Sequence, residues 1–374
     1  MTPRRNGRDV NLSPASVRLA GKTVRVVGTG LLGSSIGLGL RANGITVVLT
    51  DASPSSARLA QDLGAGQLAA AGDVPDLIVV CVPPDVAADV IARELADFPR
   101  AIVTDVTSVK VSARDDLAAR DVDLSRYVGS HPLAGRERGG AISARGDLFI
   151  GRPWVVCREH ENPEIAIRLV EDLIHDLGAS VIEMTAEEHD RAVALVSHAP
   201  QIVSTVMAGQ LLAASDATVS IAGQGVRDVT RIAASSPDLW VQILGANHGA
   251  VVDVLRGVHA DLGAVVDALD SLDVAGSRST LAHTLARGNE GVSRLPGKHG
   301  QNRKFSVVTV LIDDRPGQLA NLLSEIGDLG INLEDLNLEH APGAALGTVE
   351  FSVVPEAVDR LVTDLEQRGW RVAR

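Results

Sequence analysis

Aromatic residues are scarce: Phe, Trp and Tyr together make up 2% of the 374 residues. Core volume must therefore come from Ala, Val, Leu and Ile, and each of the three Trp stands out. Cysteine is nearly absent. Cys81 and Cys157 lie far apart, each in an apolar strand-like run, which excludes a disulfide framework and reads as two buried, reduced thiols in a reducing cytoplasm. Metal-ligand patterns are missing too: there is no HExxH and no CxxC, and the ten His show no paired spacing, so no metal is expected. A GxSxG elbow and a Walker lysine are likewise absent. Excess positive charge is lacking. A formal charge of −12 excludes general binding to nucleic acid or anionic membrane, which needs clustered Lys and Arg, and an anionic ligand would need a local basic pocket. Residues 1–21, polar with scattered Arg, read as a disordered tail and neither a secretory signal nor an anchor. No later stretch approaches the roughly 20 apolar residues of a membrane helix.

What is present is globular. Hydrophobic residues at 45% and charged ones at 22% are ordinary values, and the length exceeds what one core usually organises. From residue 23 the pattern alternates: an apolar run at 24–27, a Gly-rich turn, a helical stretch to 43, Gly44 as a stop, and a second apolar run at 45–49. Strands follow at 77–82, 101–104 and 127–130, with helices between them. Two more at 153–157 and 179–184 bracket a helix at 163–177. Near-continuous apolar strands separated by helices predict an α/β domain over 22–185, a Rossmann-type doubly wound parallel sheet covered on both faces.

Residues 186–287 carry almost no strand signal but long Ala/Val/Leu stretches at helical spacing, predicting an all-α domain with enough apolar surface for a homodimer interface. A polar, Gly-containing linker spans 288–303. From 304 to 374 the order is strand 305–312, helix 318–329, strand 331–339, strand 348–353, helix 356–368 and strand 370–373. That βαββαβ order is ferredoxin-like.

Gly28-Thr29-Gly30-Leu31-Leu32-Gly33 is a GxGxxG directly after a strand and directly before a helix. The first Gly permits the turn, the second lets the backbone approach a pyrophosphate, and the third lets helix and strand pack closely, with the helix N-terminus favouring negative charge. Asp51, about twenty residues on, ends the second strand, where a carboxylate hydrogen-bonds ribose hydroxyls and repels a 2′-phosphate. NAD is thus preferred over NADP; the alternative is that Asp51 merely caps the next helix.

Further polar residues fall at the carboxyl edge of the sheet, where open α/β folds bind ligands. Ser108 could hydrogen-bond a ligand or cap the helix beginning at Val109, and Lys110 reads as a solvated helix charge. His131 is placed to act as an acid or base, against the alternative of a buried structural His. His198, taken alone, reads as structural. Arg227 and Arg231 sit four apart on one predicted helix face with Asp228 beside Arg231, either a carboxylate clamp or a solvated salt bridge.

Taken together, the GxGxxG with Asp51, the 104–110 segment, His131-Pro132-Leu133-Ala134-Gly135-Arg136-Glu137, Ser197-His198 and Arg227-Asp228-Val229-Thr230-Arg231 followed by Pro237-Asp238-Leu239-Trp240 resemble the prephenate and arogenate dehydrogenase family. The resemblance implies that His131 accepts the ring hydroxyl proton, Arg231 grips a carboxylate and Ser108 orients hydroxyl and nicotinamide. It also implies that His198, Glu137 and Asp228 shape the site, with Trp240 packing near it. The implied reaction is oxidative decarboxylation of a cyclohexadienyl acid with NAD, feeding tyrosine synthesis.

Many members carry a second His where this chain has Gln201, a position facing the substrate side chain. A neutral Gln offers no carboxylate to an ammonium group, which favours prephenate over arogenate. The C-terminal region resembles an ACT domain, with Asp314, Pro316 and Gly317 in a turn-to-helix pocket and Asn332 near the second strand. Such a domain implies an amino-acid effector, tyrosine being the natural candidate; a module used only for dimerisation is the alternative. Rival readings are a hydroxy-acid dehydrogenase or imine reductase of similar plan, and a non-catalytic amino-acid sensor on a remnant nucleotide fold.

Overall fold

The computed structural model describes residues 17–135, 140–295, 305–340 and 346–373. Tertiary contacts divide the chain into two compact units, Met1–His259 and Ala260–Arg374.

The first unit opens with β1 (Thr23–Val27), α1 (Leu31–Ala42), β2 (Thr46–Thr50), α2 (Pro54–Asp62), β3 (Gln67–Leu68), β4 (Leu77–Val80), α3 (Pro84–Asp97), β5 (Ile102–Asp105), α4 (Val111–Ala119) and β6 (Tyr127–Pro132). β7 (Pro153–Cys157), α5 (Glu164–Asp176) and β8 (Ser180–Met184) complete an eight-stranded sheet of order β3-β2-β1-β4-β5-β6-β7-β8. All four side chains of β4 are buried, as a central strand covered on both faces requires. One apolar cluster joins α1 and α5 to one face through Ile36, Leu40, Val170 and Ile174. Another joins α3 to the opposite face through Ala87, Ile91 and Leu95.

Two expectations need correction. The sheet is mixed, because β6 and β7 pair antiparallel. A parallel return needs a crossover, usually a helix, and among the described residues the β6–β7 connection holds only the 3-10 turn Ala141–Ser143. Secondly, residues 17–21, expected within the tail, belong to the fold: Leu19 is fully buried in the α1/α5 cluster, and the Asp176 carboxylate accepts from the N–H groups of Arg18 and Leu19 at 2.9 and 2.8 Å.

Beyond β8 the described chain is helical: α6 (Ala186–Val193), a π-helical turn (Ala194–His198), α7 (Ala199–Gln210), α8 (Asp216–Ser220), α9 (Gln224–Thr230), α10 (Pro237–Ala246), α11 (His248–Asp270) and α12 (Ser277–Ser293). The predicted all-α region is helical throughout, and α11 spans the boundary between the two units. The helical run Ala186–Ala213 is long and apolar enough to cross a membrane, contrary to the sequence reading. Its length comes from joining α6, the π turn, α7 and the 3-10 turn Leu211–Ala213 without a break. His189, Asp190, His198 and Gln201 along it are buried and hydrogen-bonded to other elements.

The second unit ends in β9 (Ser306–Asp313), α13 (Gln318–Asp328), β10 (Asp335–His340), β11 (Leu346–Val353), α14 (Val358–Gln367) and β12 (Arg371–Ala373). These strands form an antiparallel sheet of order β10-β11-β9-β12 over a core including Val310, Leu322, Ile326, Phe351 and Leu361. β10 begins four residues later than predicted. Its ladder to β11 opens with Asp335 opposite Ser352, next to the end of β11 at Val353, so residues before it have almost no strand left to pair with.

Candidate active site

The glycine turn lies between β1 and α1, where the sheet's winding direction reverses. Gly28 has φ +97°, and a Cβ there would sit 2.4 Å from the Cys81 carbonyl oxygen. A Cβ on Gly33 would lie 1.9 Å from the Gly28 carbonyl oxygen. Gly30 differs: no atom lies within 4 Å of where its Cβ would be, and it is the N-cap of α1. That open space beside a helix N-terminus is a cradle for a phosphate. Leu31 and Leu32 form the first turn of α1, with Leu32 packed on the core.

Asp51, at the end of β2, ties this turn down. Its Oδ2 accepts from the backbone N–H and hydroxyl of Thr29 at 2.6 and 2.8 Å, and its Oδ1 accepts from the Ser53 N–H at 2.8 Å. The cap of α2 is Ser53 itself, whose hydroxyl accepts from the Ser56 N–H. Oδ1 keeps a further lone pair, so the carboxylate can also receive a ribose hydroxyl. The glycine cradle and this carboxylate together fit a dinucleotide.

Lys110 is not a solvated charge. It is 1% exposed, and its Nζ donates to Asp105 Oδ2, to Thr107 Oγ1 at 3.1 Å and to the Ser130 carbonyl at 2.8 Å. Tyr127 donates its hydroxyl to Asp105 Oδ1 at 2.8 Å, and burial beside Asp105 pushes that phenol well above its ordinary value. Buried charge of this kind must be paired. The network therefore ties the turn after β5 to the last residues of β6. Ser108, on that turn, is half-buried and does not cap α4, whose N-cap is Lys110. Its hydroxyl makes no hydrogen bond among the described residues.

His131, near the end of β6, heads a chain that sequence reasoning missed. Its Nδ1 lies 2.8 Å from His189 Nε2, and His189 Nδ1 lies 2.8 Å from Asp190 Oδ1. The Asp190 carboxylate also accepts from the N–H groups of Lys110 and Val111 at 2.9 and 3.0 Å, capping α4 from another helix. A carboxylate can only accept, so His189 places its proton on Nδ1 and presents Nε2 as an acceptor. His131 then donates through Nδ1, and its Nε2 lone pair is left free. Burial first, then His189, Lys110 and His198, hold His131 well below the usual imidazole value. This is a neutral base with one defined basic nitrogen.

His198 closes the π-helical turn, a distortion frequent at functional sites. It is 1% exposed, and its ring meets Trp240 edge to face with centroids 6.0 Å apart. Burial pushes it down to about 4, against the opposing pull of Asp190. Asn247 Nδ2 lies 3.2 Å from His198 Nδ1 and donates to the Asp190 carbonyl at 2.8 Å.

Gln201, on α7, is buried and donates to the Ser235 hydroxyl at 2.7 Å. Arg227 and Arg231 are exposed and share no unbroken α-helix, because α9 ends at Thr230 and Arg231 opens a 3-10 turn. Asp228 does not pair with Arg231 as expected. It accepts from Gln224 Nε2 at 2.7 Å, its neighbour one helical turn back. Glu137 lies outside the described residues. In the second unit Asp314, Pro316, Gly317 and Asn332 are all exposed; Gly317, at φ +90°, is the N-cap of α13, and Asn332 donates to Glu334 Oε1 at 2.8 Å.

A signal for the missed residues exists only in hindsight of the fold. Thr185 and Glu188 form a capping box that starts α6, which puts His189 and Asp190 on a helix but names no partner. Asn247 reads as a helix C-cap, and it is one.

Residues 36–183 match a family profile described as prephenate dehydrogenase, nucleotide-binding domain, and residues 185–285 match one described as prephenate dehydrogenase, dimerization domain. The chain is similar to NovF of Streptomyces niveus, described as a probable prephenate dehydrogenase: 34% identity over 357 residues, covering 93% of this chain and 99% of that one. A cyclohexadienyl dehydrogenase of Zymomonas mobilis is 31% identical over 265 residues, 67% of this chain and 90% of that one. The crystal structure of prephenate dehydrogenase from A. aeolicus in complex with hydroxyphenyl propionate and NAD+ superposes with a TM-score of 0.64 at 25% identity. The match covers 72% of this chain and 98% of that one.

Proposed function

The chain belongs to the prephenate dehydrogenase family, and from that premise we propose that it catalyses the NAD-dependent oxidative decarboxylation of prephenate to 4-hydroxyphenylpyruvate in tyrosine synthesis. One observation carries the reading: the Asp190–His189–His131 chain leaves a neutral imidazole with its Nε2 lone pair free. NAD would be held by Gly28, Gly30, Gly33 and Asp51 and would supply the hydride acceptor.

His131 Nε2 takes the ring hydroxyl proton as hydride leaves the same carbon and a carbonyl forms. Loss of carbon dioxide then moves the electron pair of the broken C–C bond into the ring, and the phenolate recovers the proton from His131. Products are carbon dioxide, the reduced cofactor and the aromatic keto acid, so atoms and charge balance. Ser108, with its hydroxyl uncommitted, orients the reacting hydroxyl. Arg231, with Arg227 nearby, binds carboxylate, and the family resemblance gives Glu137 and Asp228 a part in shaping the site. Gln201 supports the keto acid over arogenate, because its amide is neutral and already engaged with Ser235.

Exposed apolar side chains such as Val206, Leu212, Ile221 and Val241 support a homodimer. Free thiols at Cys81 and Cys157 fit a reducing cytoplasm. For the C-terminal sheet and its helices we propose an ACT domain binding an amino acid, tyrosine first among candidates. Support comes from the exposed Asp314–Gly317 turn at the N-terminus of α13, whose backbone donors suit a carboxylate, with Asn332 as a further contact.

The test is reduced-cofactor formation with prephenate and with arogenate, each with NAD and NADP, and each repeated with tyrosine. Turnover of prephenate with NAD, lowered by tyrosine, meets the whole reading. Preference for arogenate replaces the substrate, and cofactor binding without any turnover favours the sensor.

A further inference from the structure

We propose that Asn247 is a positioning residue that fixes the tautomer of His198, making that imidazole a hydrogen-bond donor through Nε2 where His131 is an acceptor. The amide orientation is forced. The Asp190 carbonyl can only accept, so the atom of Asn247 lying 2.8 Å from it must be the NH2 nitrogen. That nitrogen carries a second hydrogen, and it lies 3.2 Å from His198 Nδ1. Nδ1 therefore accepts, and the single proton of neutral His198 sits on Nε2.

His198 is nearly fully buried, and its Nε2 proton has no hydrogen-bond partner among the described residues. That nitrogen is not among the side-chain atoms sealed from solvent without a partner, so an oxygen acceptor can reach it and complete the donor. In the proposed reaction that acceptor is a substrate oxygen, and the inference rests on that reading for the identity of the oxygen only. Two neutral imidazoles with opposite tautomers thus divide the work: His131 receives a proton, and His198 holds an oxygen without exchanging one. The Asp190 residue links them, its side chain aligning His189 and its carbonyl aligning Asn247.

The groups that face His198 are Asp190 and His189 on α6, Asn247 after α10 and Trp240 on α10, with His131 near enough to feel its charge. Of these only Asn247 meets Nδ1, so changing it tests the tautomer directly. In Asn247→Asp the new carboxylate accepts from Nδ1, moves the proton there and turns the Nε2 lone pair outward. It also stabilises the imidazolium, so His198 titrates nearer neutrality and regains a donor only when protonated.

The first measurement is the tautomer itself, by imidazole nitrogen NMR on the full-length protein labelled at histidine, with His198→Gln assigning the signal. Wild type is expected to hold the Nε2–H form from about pH 5 to 8. Asn247→Asp is expected to show the Nδ1–H form above its new titration point. A wild-type Nδ1–H signal, or an unaltered tautomer in Asn247→Asp, overturns the proposal whether or not prephenate is turned over.

Kinetics gives the second arm. In Asn247→Asp, kcat/KM for prephenate should fall about tenfold or more as pH rises through the new His198 titration, a slope wild type lacks. Asn247→Gln, which keeps a donor, should restore part of the loss. A uniform drop at every pH, with no new slope, marks Asn247 as merely structural and sinks the assignment. Absence of wild-type turnover with prephenate counts against the functional reading alone.

Discussion

Nδ1 of His131 sits 2.8 Å from Nε2 of His189, so one imidazole sets the orientation of the other, and the acid anchor of the chain is on α6 while the base it serves is on strand β6. His131→Asn removes the basic nitrogen and should lower kcat by about 10²–10⁴-fold. Cofactor affinity, read by fluorescence quenching on titration with NADH, should stay unchanged because the glycine turn is untouched. Near-wild-type turnover would refute the role of His131 as base.

Asp190 serves two structures at once, the His189 contact and the N-terminus of α4. Asp190→Ala should therefore cost stability and rate together. Loss of a helix cap is worth about 0.5–2 kcal/mol, measurable as a lower urea midpoint. Turnover should fall as well, since His189 is then free to present either tautomer to His131. A variant that loses stability but keeps full kcat would show the cap to be its only duty.

Much of this was readable from the chain and part was not. Apart from the two-residue β3, too short to show a period, strand and helix order from β1 to β8 follows from local period, and the glycine turn with Asp51 follows from spacing, because those signals lie within about thirty residues. Lys110 was misread for the opposite reason. Its partners Asp105 and Thr107 are close in sequence, yet only the closing of β6 onto β5, which brings the Ser130 carbonyl over it, makes the position dry. His189, Asp190 and Asn247 share that difficulty. They meet residues 58, 80 and 49 positions away, and no local pattern encodes such a meeting. The antiparallel turn from β6 to β7 was hidden because strand composition does not state direction.

Lys110 yields a stability prediction of its own. Lys110→Met leaves Asp105 buried without its cation, and breaking one side of a buried pair costs about 3–5 kcal/mol. The double variant Lys110→Met/Asp105→Asn removes the orphaned charge and should recover part of that loss, as Tyr127 can still donate to the amide oxygen. Chemical denaturation of the two variants decides it. Equal stability of single and double variants would mean that Asp105 is not held as an anion by Lys110.

Acid pH should act on folding before it acts on the base. His198 is held at about 4 in the folded chain, against about 6.5 when unfolded, so between these values the unfolded chain binds the extra proton. Stability is then fully present above about pH 6.5, declines as pH falls, and levels off near the folded value; the contribution is on the order of 3 kcal/mol. His131, also depressed, adds in the same direction. In contrast, kcat/KM should pass through pH 6.5 without an inflection, because His131 is still neutral there. An acid limb centred at the ordinary imidazole value would contradict the burial assigned to it.

The three glycines should fail in different ways when a methyl group is added. At Gly33 the new Cβ would lie 1.9 Å from a backbone carbonyl that cannot swing aside, and at Gly28 both the close Cys81 carbonyl and φ +97° oppose it. Gly33→Ala and Gly28→Ala should thus lower the melting temperature by several degrees, each kcal/mol being worth roughly 2–4 °C in a domain of about 150–250 residues. Gly30→Ala meets nothing within 4 Å and sits in extended backbone at φ −71°, so it should fold with an unchanged melting temperature. Its space is the cofactor's. Titration with NADH should then show Gly30→Ala weakened by at least tenfold, about 1.4 kcal/mol, while its fold is intact. Destabilisation of Gly30→Ala equal to that of Gly33→Ala would mean that the second glycine is needed for packing and that the phosphate cradle lies elsewhere.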